Sequence, residues 1–334
     1  MALSLDVAVQ MDPLEHVDIN GDSTFALMLE AQARGHRLFV YEVPTLALEE
    51  GAADQGTAAM QVSASVRPVT LRREKGNHAS FGEAIRRNLG DMDVILMRQD
   101  PPFDMAYITA THLLDHVHGT GPGRALVVND PRWVRDSPEK LLVTHFPQLM
   151  PPTLVTWDIG QIRAFRAKWR DIIVKPLFGN GGSGIFRIRE DDQNLNALLE
   201  MHFVRSREPL MIQRYESAVK EGDKRIILVN GEPVGAINRV PSAEDHRSNM
   251  HVGGVAHKIG LTERDREICS TIGPFLKEHG LLFVGIDVIG NYLTEINVTS
   301  PTGLQELARF DGVNAAALIW DCIEVKLEAE SGER

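Results

Sequence analysis

Cysteine is scarce in this chain of 334 residues, which contains only Cys269 and Cys322. Two thiols cannot build the disulfide framework of a small secreted protein, so we expect both to be reduced, in a reducing compartment. The opening residues lack the basic segment of a signal peptide and reach Asp6 at once. No uncharged apolar run approaches the roughly 18 residues that a membrane-spanning helix needs. These absences predict a cytoplasmic protein without a membrane partner.

The chain also lacks an excess of positive charge. Its 35 Lys and Arg residues face 46 Asp and Glu residues, which gives a formal net charge of −11. This balance argues against a nucleic-acid partner, because nucleic-acid-binding domains usually carry a basic excess. The charge is uneven, however, since residues 132–189 hold ten basic against four acidic side chains. A small anionic ligand at that basic segment is therefore compatible with the composition.

The first 130 residues alternate between strand and helix patterns, as in an α/β domain with a parallel sheet. The predicted strands cover residues 5–9, 38–43, 93–97 and 125–128, and the predicted helices cover residues 23–34 and 104–116. Asp22 or Ser23 would cap the first of these helices. Residues 49–77 lack helical periodicity, and we interpret them as a hairpin-like excursion.

A different pattern starts near residue 151, where strands cluster instead of alternating with helices. The predicted strands cover residues 172–174, 184–188, 210–213, 226–229, 234–239, 281–288 and 293–298. The predicted helices cover residues 137–146, 161–168, 194–202, 263–278 and 313–327. Asn230 and Gly231 are typical of a tight hairpin turn. Clustered strands predict an α+β half with mainly antiparallel sheets.

A glycine-rich segment follows Lys175. The spacing of Gly179, Gly181 and Gly184 matches the dinucleotide-binding fingerprint, but residues 185–188 have a strand pattern, whereas that fingerprint opens a helix. A glycine-rich turn between two strands can instead close over phosphates, because glycine lets backbone N–H groups approach closely. A plain hairpin loop is the alternative.

Polar side chains stand out in an otherwise apolar pair of predicted strands near the C-terminus. Glu295 and Asn297 are two residues apart and share a face. A two-residue turn would place Asp287 opposite Thr294, and a three-residue loop would place it opposite Glu295. We predict the three-residue loop, at residues 290–292. Two carboxylates and an amide oxygen in apolar surroundings suit Mg²⁺, and a solvated sheet edge is the alternative.

Four segments together resemble the bacterial glutathione synthetases, which are ATP-grasp ligases. They are VILMRQDPPFD at residues 94–104, GDKR at residues 222–225, FVGID at residues 283–287 and TEINVTSPT at residues 294–302. The resemblance, which extends over nearly the whole chain, implies three domains with ATP bound between antiparallel sheets. They are an N-terminal α/β domain at residues 1–130, a central ATP-grasp domain with the glycine-rich flap at residues 131–210, and a C-terminal ATP-grasp domain with the metal site at residues 211–334.

The resemblance also implies a reaction. ATP, γ-glutamylcysteine and glycine would give glutathione, ADP and phosphate through an acyl phosphate. Mg²⁺ would be required, with two ions bound and Mn²⁺ able to substitute, and the protein would be a homotetramer. The alternatives are another ATP-grasp amino-acid ligase and a nucleotide-binding module without turnover.

The site residues that the resemblance implies fall into three groups. ATP would be bound by Lys140, Lys175, Gly179, Asn180, Gly181, Gly182, Ser183, Gly184, Gln213, Arg214, Tyr215, Glu216 and Asp223. The metal would be held by Asp287, Glu295 and Asn297. Arg225 and Arg239 would be the catalytic cations near the transferred phosphate. The peptide substrate would be bound by Arg225, Arg239, Asn297, Ser300 and Thr302.

The chain departs from the family pattern at a few positions. Asn180 stands where members often have Met, and Ser183-Gly184 stands where they have Ala-Ser. Gln305 replaces an arginine that some members carry, so a cation near the substrate could be missing. Residues 241–254 match the mobile lid of the family.

Overall fold

The computed structural model describes residues 4–51, 60–179, 181–241 and 255–331. Its first sheet has eight strands: β1 (Asp6–Gln10), β2 (Arg37–Tyr41), β3 (Ala47–Glu50), β4 (Met60–Leu71), β5 (Ala79–Phe81), β6 (Ile85–Asn88), β7 (Val94–Met97) and β8 (Leu126–Val128). Its parallel part has the order β2-β1-β7-β8, which confirms the predicted parallel sheet. The excursion forms antiparallel strands around β4, which confirms its hairpin character, although residues 52–59 lie outside the described residues.

Two helices of this region begin at aspartate caps. In α1 (Ser23–Ala33) the Asp22 carboxylate accepts the Phe25 N–H at 2.5 Å, and in α2 (Met105–Asp115) the Asp104 carboxylate accepts the Tyr107 N–H at 2.9 Å. Such caps satisfy N–H groups that have no partner within the helix. A short helix, α3 (Pro131–Asp136), and α4 (Glu139–Leu142) then lead to the second sheet.

The second sheet has four antiparallel strands in the order β11-β10-β12-β9. They are β9 (Thr153–Thr156), β10 (Ile172–Pro176), β11 (Phe186–Ile188) and β12 (Leu210–Arg214). Helices α5 (Ile159–Trp169) and α6 (Leu195–Arg205) accompany it. Its apolar side chains form a core of their own around Ile172, Leu199 and Ile212.

The third sheet has five antiparallel strands in the order β15-β14-β13-β16-β17. They are β13 (Asp223–Val229), β14 (Glu232–Val240), β15 (Val255–Lys258), β16 (Phe283–Ile289) and β17 (Tyr292–Asn297). Asn230 and Gly231 form the predicted tight turn, both with positive φ. The remaining helices are α7 (Glu263–Glu278), α8 (Leu304–Asp311) and α9 (Ala315–Ser331).

The N-terminal sheet and the five-stranded sheet pack together. The Asn129 side chain donates to the carbonyl groups of Phe283 and Val298, both at 2.8 Å, and so ties the end of β8 to the third sheet. On α9 the buried Trp320 donates its indole N–H to the Leu27 carbonyl of α1 at 2.8 Å. The first and third sheets thus support each other through shared apolar clusters.

The sequence patterns were wrong in two respects: one predicted helix is much shorter, and several short elements were missed. The helix predicted at residues 137–146 is only α4 followed by 3₁₀ turns, because Pro138 and Pro147 restrict the backbone at both ends. The short elements α3, α8, β5, β6, β9 and β15 were missed. Within the described ranges, none of the helices combines the length and apolarity that crossing a membrane requires.

Candidate active site

The four-stranded and five-stranded sheets face each other across a cleft of about 740 Å³. Of the side chains predicted to bind ATP or a metal, the lining includes Lys175, Gln213, Arg214, Tyr215, Glu216, Asp223, Asp287 and Glu295. Segments far apart in the sequence therefore meet at one site.

One face of the five-stranded sheet carries the charged groups. Arg225 lies opposite Asp287, and Asp287 lies opposite Glu295, so these three side chains share a face. Asp223 and Arg239 lie opposite each other on β13 and β14. Since Asp223 is two residues from Arg225, this pair points to the same side. The sheet register itself assembles the charged cluster.

The connection between β16 and β17 differs from our prediction. It is a two-residue turn at residues 290–291 instead of a three-residue loop, so that prediction was wrong. The register then shifts next to Asp287 at a β-bulge, where Thr294 is the extra residue and donates its hydroxyl to the Asp287 carbonyl at 3.1 Å. The bulge restores the pairing of Asp287 with Glu295, so their predicted shared face is confirmed.

Asp287 is the centre of the charge network. Arg225 binds it through two hydrogen bonds, Nε to Oδ1 at 2.5 Å and Nη2 to Oδ2 at 2.9 Å. Arg239 contacts Asp287 Oδ1 at 2.9 Å and Asp223 Oδ2 at 2.7 Å. Burial alone would raise the pKa of Asp287, but the two guanidinium groups outweigh it and hold that pKa well below its usual range. Asp287 is therefore ionised.

The residues predicted to hold a metal lie together and have suitable donors. The Asn297 side-chain N–H₂ donates to the Gly285 carbonyl at 2.9 Å and to Asp287 Oδ2 at 3.3 Å. Its hydrogen bonds to described residues thus use the nitrogen and leave the amide oxygen for a cation. With the carboxylates of Asp287 and Glu295 this is a set of hard oxygen ligands, which fits a divalent cation such as Mg²⁺.

Two lysines, on α4 and on β10, approach Glu295 of this acidic face. Lys140 Nζ donates to the Gly179 carbonyl at 2.6 Å and lies 3.4 Å from Glu295 Oε1. Lys175 on β10 is buried, and burial lowers its pKa although the carboxylate of Glu295 opposes the shift. The lysines and the acidic face therefore converge around Glu295.

The end of β12 forms the back of the cleft. Gln213 Nε2 donates to Thr153 Oγ1 at 3.1 Å and so ties β12 to β9. Arg214 pairs with Glu216 at 2.6 Å and donates to the Tyr292 hydroxyl at 3.1 Å. These contacts fix the segment that leads from the second sheet towards the third.

The glycine-rich segment connects two antiparallel strands, β10 and β11, so it does not open a helix as a dinucleotide fingerprint would. Gly181, Gly182 and Gly184 all have positive φ, a conformation that glycine adopts without steric cost. Gly182 lines the cleft, which favours the flap over a plain hairpin loop. Asn180 lies outside the described residues.

Comparison with known families agrees with this arrangement. The model of the prokaryotic glutathione synthetase N-terminal domain matches residues 5–135, and the model of the prokaryotic glutathione synthetase ATP-grasp domain matches residues 139–312. The chain belongs to the prokaryotic glutathione synthetase family. It is an ATP-dependent, ADP-forming ligase.

Several relatives match this family member over almost their full length. It is 57% identical to the glutathione synthetase of Brucella melitensis over 97% of this chain and 100% of that one. It is 54% identical to that of Agrobacterium fabrum over 99% of each chain. It is 43% identical to that of Pseudomonas syringae pv. tomato over 99% of this chain and 100% of that one.

Solved structures show the same fold at low sequence identity. The ATP-grasp ligase PsnB, in complex with a minimal precursor, superposes with a TM-score of 0.61 at 17% identity, covering 98% of this chain and 100% of that one. D-cycloserine synthetase DcsG superposes with a TM-score of 0.63 at 13% identity, covering 96% and 99%. The ATP-grasp fold predicted from the sequence is confirmed.

The loop after β17, which the family resemblance assigns to the peptide substrate, is held by Arg98. Arg98 donates from Nη2 to the Pro301 carbonyl at 2.9 Å, and its own carbonyl accepts the Ser300 hydroxyl at 3.2 Å. The Thr302 carbonyl accepts Arg225 Nη1 at 3.5 Å. This loop thus lies between the N-terminal sheet and the charged face.

The position of Gln305 is also explained by contacts to the N-terminal region. Its Nε2 donates to the carbonyl groups of Ile19 and Asp22, at 2.8 and 2.9 Å. Arg73 donates to its Oε1 at 3.1 Å. A cation therefore lies beside Gln305, although the sequence lacks the arginine that some family members carry at this position.

Sequence reasoning missed Arg98 and Glu139. Arg98 follows an apolar strand at the carboxyl end of a parallel sheet, where ligands commonly bind, and this signal could have found it. Glu139 precedes Lys140 in an ordinary helical pattern, so nothing local distinguishes it. Most of the predicted lid, including Arg247 and Asn249, lies outside the described residues, between β14 and β15.

Proposed function

We propose that the chain ligates γ-glutamylcysteine to glycine. The cysteinyl carboxylate of the dipeptide attacks the γ-phosphate of ATP, which gives ADP and an acyl phosphate. The glycine amine then attacks the acyl carbon, and phosphate leaves as glutathione forms. The observation that supports this best is the convergence of Lys140, Lys175, Asp287 and Glu295 at one cleft in a member of this family.

The nucleotide would lie along the cleft from the back to the charged face. Adenine would contact the backbone of residues 213–216, and Asp223 would bind the ribose. Lys140, Lys175 and the flap would bind the phosphates. Phosphoryl transfer depends mainly on positioning and charge neutralisation, so no serine, cysteine or histidine nucleophile is needed.

Asp287, Glu295 and Asn297 would hold the divalent cation. We propose two Mg²⁺ ions, with Mn²⁺ able to replace them. When bound, the cation would neutralise charge on the phosphates. The geometry of the donor set supports this assignment, because the three residues share a face and carry oxygen donors.

Arg225 and Arg239 would bind the substrate carboxylate and the transferred phosphate from the opposite edge of the charged face. Asn297, Ser300 and Thr302 would position the dipeptide. Closure of the flap and of the lid at residues 241–254 would exclude water, which would otherwise hydrolyse the acyl phosphate.

The organisation of the molecule is part of the proposal. Residues 1–130, 131–210 and 211–334 would form the three domains, and the chain would act as a cytoplasmic homotetramer. Sedimentation velocity of the purified full chain tests the oligomeric state, and a monomer at micromolar concentration would contradict it.

The decisive experiment measures ADP release with ATP, γ-glutamylcysteine, glycine and Mg²⁺, and omits each component in turn. We expect steady turnover only with the complete mixture, and turnover when Mn²⁺ replaces Mg²⁺. Preference for an unrelated dipeptide, or for an amino acid other than glycine, would assign the chain to another ATP-grasp ligase activity. ATP binding without any turnover would instead indicate a nucleotide-binding module.

A further inference from the structure

Arg187 lies on β11, the strand that follows the glycine-rich flap. This strand of three residues pairs with β10 and forms one edge of the four-stranded sheet. Arg187 and Gln213 both lie opposite Ile173, which lines the cleft. Because opposed residues of antiparallel strands share a face, the Arg187 side chain lies on the cleft face of this sheet.

Two contacts hold the Arg187 guanidinium group near the end of β12. Its Nη2 donates to Asp171 Oδ2 at 2.5 Å, so its charge is balanced by a carboxylate next to the start of β10. Its Cζ lies 3.7 Å from the centre of the Tyr215 ring, and Tyr215 lines the cleft directly after β12. The Asp171 carbonyl in turn accepts the Tyr215 N–H at 3.0 Å. These three residues, which we call the Arg187 brace, link the ends of three neighbouring strands.

The Arg187 brace connects the two parts of the cleft that would contact opposite ends of ATP. Tyr215 belongs to residues 213–216, which we place against adenine. On the other side, β11 continues directly from Ile185 and from the glycine turn at residues 181–184. Ile185 and Gly182 both line the cleft, and we place this turn against the phosphates. One side chain therefore joins the adenine end of the site to the phosphate end.

Few other contacts set the position of β11. As an edge strand it has main-chain hydrogen bonds to β10 alone, and the neighbouring Phe186 is 42% exposed. The Arg187 Nε–H is buried without a hydrogen-bond partner among the described residues, so the Asp171 carboxylate and the Tyr215 ring place the side chain. A planar guanidinium group stacked on an aromatic ring has a defined orientation. The position of β11 therefore depends on that of Tyr215.

We propose that Arg187 is a positioning residue, which couples adenine binding at residues 213–216 to phosphate binding at the glycine turn. The proposal rests on the proposed function, which places ATP in this cleft. Adenine fixes Tyr215, the stacked Arg187 fixes β11, and β11 holds the glycine turn in the conformation that binds phosphate. Such coupling is reciprocal, so each end of ATP strengthens the binding of the other end by the same factor.

Two fragments of ATP test this coupling. Adenosine and inorganic pyrophosphate are titrated separately and together by calorimetry with the full chain and Mg²⁺, and displacement by ADP shows that each occupies the cleft. In the wild type we expect adenosine to lower the dissociation constant of pyrophosphate by about fivefold or more, within the usual range of coupling between sites. In Arg187→Met we expect this factor to fall below about twofold, while each fragment alone binds within about threefold of its wild-type affinity.

The outcomes distinguish positioning from direct contact. Weaker binding of either fragment alone to Arg187→Met would show that the guanidinium group itself contacts the nucleotide, and would overturn the proposal. A wild type without coupling, or an Arg187→Met variant that keeps it, would overturn it as well. Arg189→Met changes an exposed arginine two residues further along the chain. It is the matched control and should keep the wild-type coupling factor.

Steady-state kinetics supplies a second readout. In Arg187→Met the KM for ATP should rise about fivefold while the KM for γ-glutamylcysteine stays unchanged, because the coupling acts on nucleotide binding. A loss confined to kcat would contradict a positioning role towards ATP.

A second variant keeps the test decisive if Arg187→Met does not fold. Tyr215→Leu removes the ring and leaves the ion pair of Arg187 with Asp171, so the coupling should be lost, whereas Tyr215→Phe keeps the ring and should keep the coupling. Coupling that persists in Tyr215→Leu would overturn the proposal. If neither fragment nor ADP binds the wild type, the nucleotide site of the proposed function fails, and the role of Arg187 fails with it.

Discussion

The two sheets that flank the cleft present charge in different ways. On the five-stranded sheet, Arg225 and Arg239 pair with Asp287. On the four-stranded sheet, Lys175 lines the cleft beside apolar Ile173, and the glycine-rich flap supplies backbone instead of side chains. The five-stranded sheet therefore brings a network of paired charges, and the four-stranded sheet brings the buried cation of Lys175 and the backbone groups of the flap.

The difference extends to the cores behind the two sheets. The five-stranded sheet shares its apolar clusters with the N-terminal domain, through contacts such as Trp320 with Leu27. The four-stranded sheet has a separate core with its own helices. A fixed charged face opposite a smaller unit with an independent core suits a clamp that closes on a nucleotide.

The strongest test of the fixed face is Asp287→Asn. It removes the charge that pairs with two buried guanidinium groups, and the same substitution alters a predicted metal ligand. We expect ADP release to fall by about 10³-fold, as when a preorganised charge at a phosphoryl-transfer site is lost. The free energy of unfolding should fall by about 3 kcal/mol, because a buried charge network loses its central partner.

The contrast between the two sheets requires that Asp287→Asn lower both the rate of ADP release and the free energy of unfolding. Steady-state ADP release measures the first and urea unfolding the second. Asp191→Asn, on an exposed segment of the central region, is the control and should change neither quantity. A variant that loses activity without losing stability would show that the arginines do not depend on Asp287 for their placement.

Much of this face was predictable from residue type and spacing. Carboxylates and an amide in an apolar strand pair indicated a shared cation site, and the alternation of strand side chains placed Glu295 with Asn297. The β-bulge at Thr294 was not predictable, because a bulge is set by local packing and by the hydrogen bond to the Asp287 carbonyl. The prediction that Asp287 and Glu295 share a face was therefore correct, but the predicted three-residue loop between their strands was wrong.

The contacts between distant segments could not be predicted in the same way. Glu139 meets Thr299 across 160 positions of sequence, and Arg98 meets Pro301 across 203. Glu139 stands in an ordinary helical pattern, and the position of Arg98 after a parallel strand indicates a site but not its partner. Such pairings arise only when the sheets pack together.

Lys175→Met tests the four-stranded sheet. Its effect should be smaller than that of Asp287→Asn and larger than that of Arg214→Ala. Methionine keeps most of the volume, so we expect the KM for ATP to rise about tenfold or more from the loss of one charged hydrogen bond. Stability at neutral pH should not fall, because burial lowers the pKa of Lys175 and makes its charged form costly. A clear loss of stability would show that the lysine stabilises the fold as the charges of the opposite face do.

The pH dependence of unfolding also tests the lowered pKa of Lys175, because the direction of that shift fixes the direction in which stability changes with pH. Between its lowered pKa in the folded state and the ordinary lysine value, Lys175 binds more protons in the unfolded chain. The free energy of unfolding of the wild type should therefore rise with pH through this window. The Lys175→Met variant should lack that contribution, which urea unfolding at several pH values would measure. Parallel curves for the two proteins would contradict the assigned shift.

The smallest effect is expected for Arg214→Ala, at the segment that joins the two regions. The Arg214 guanidinium pairs with Glu216 and with the Tyr292 hydroxyl, but its side chain is 30% exposed. Partly exposed ion pairs contribute only about 0–1 kcal/mol, so the free energy of unfolding should change by less than about 1 kcal/mol. If adenine contacts this segment through backbone groups, the KM for ATP should rise no more than about threefold. A rise comparable to that of Lys175→Met would mean that the guanidinium itself binds the nucleotide, and that charge on this side of the cleft is not confined to one lysine.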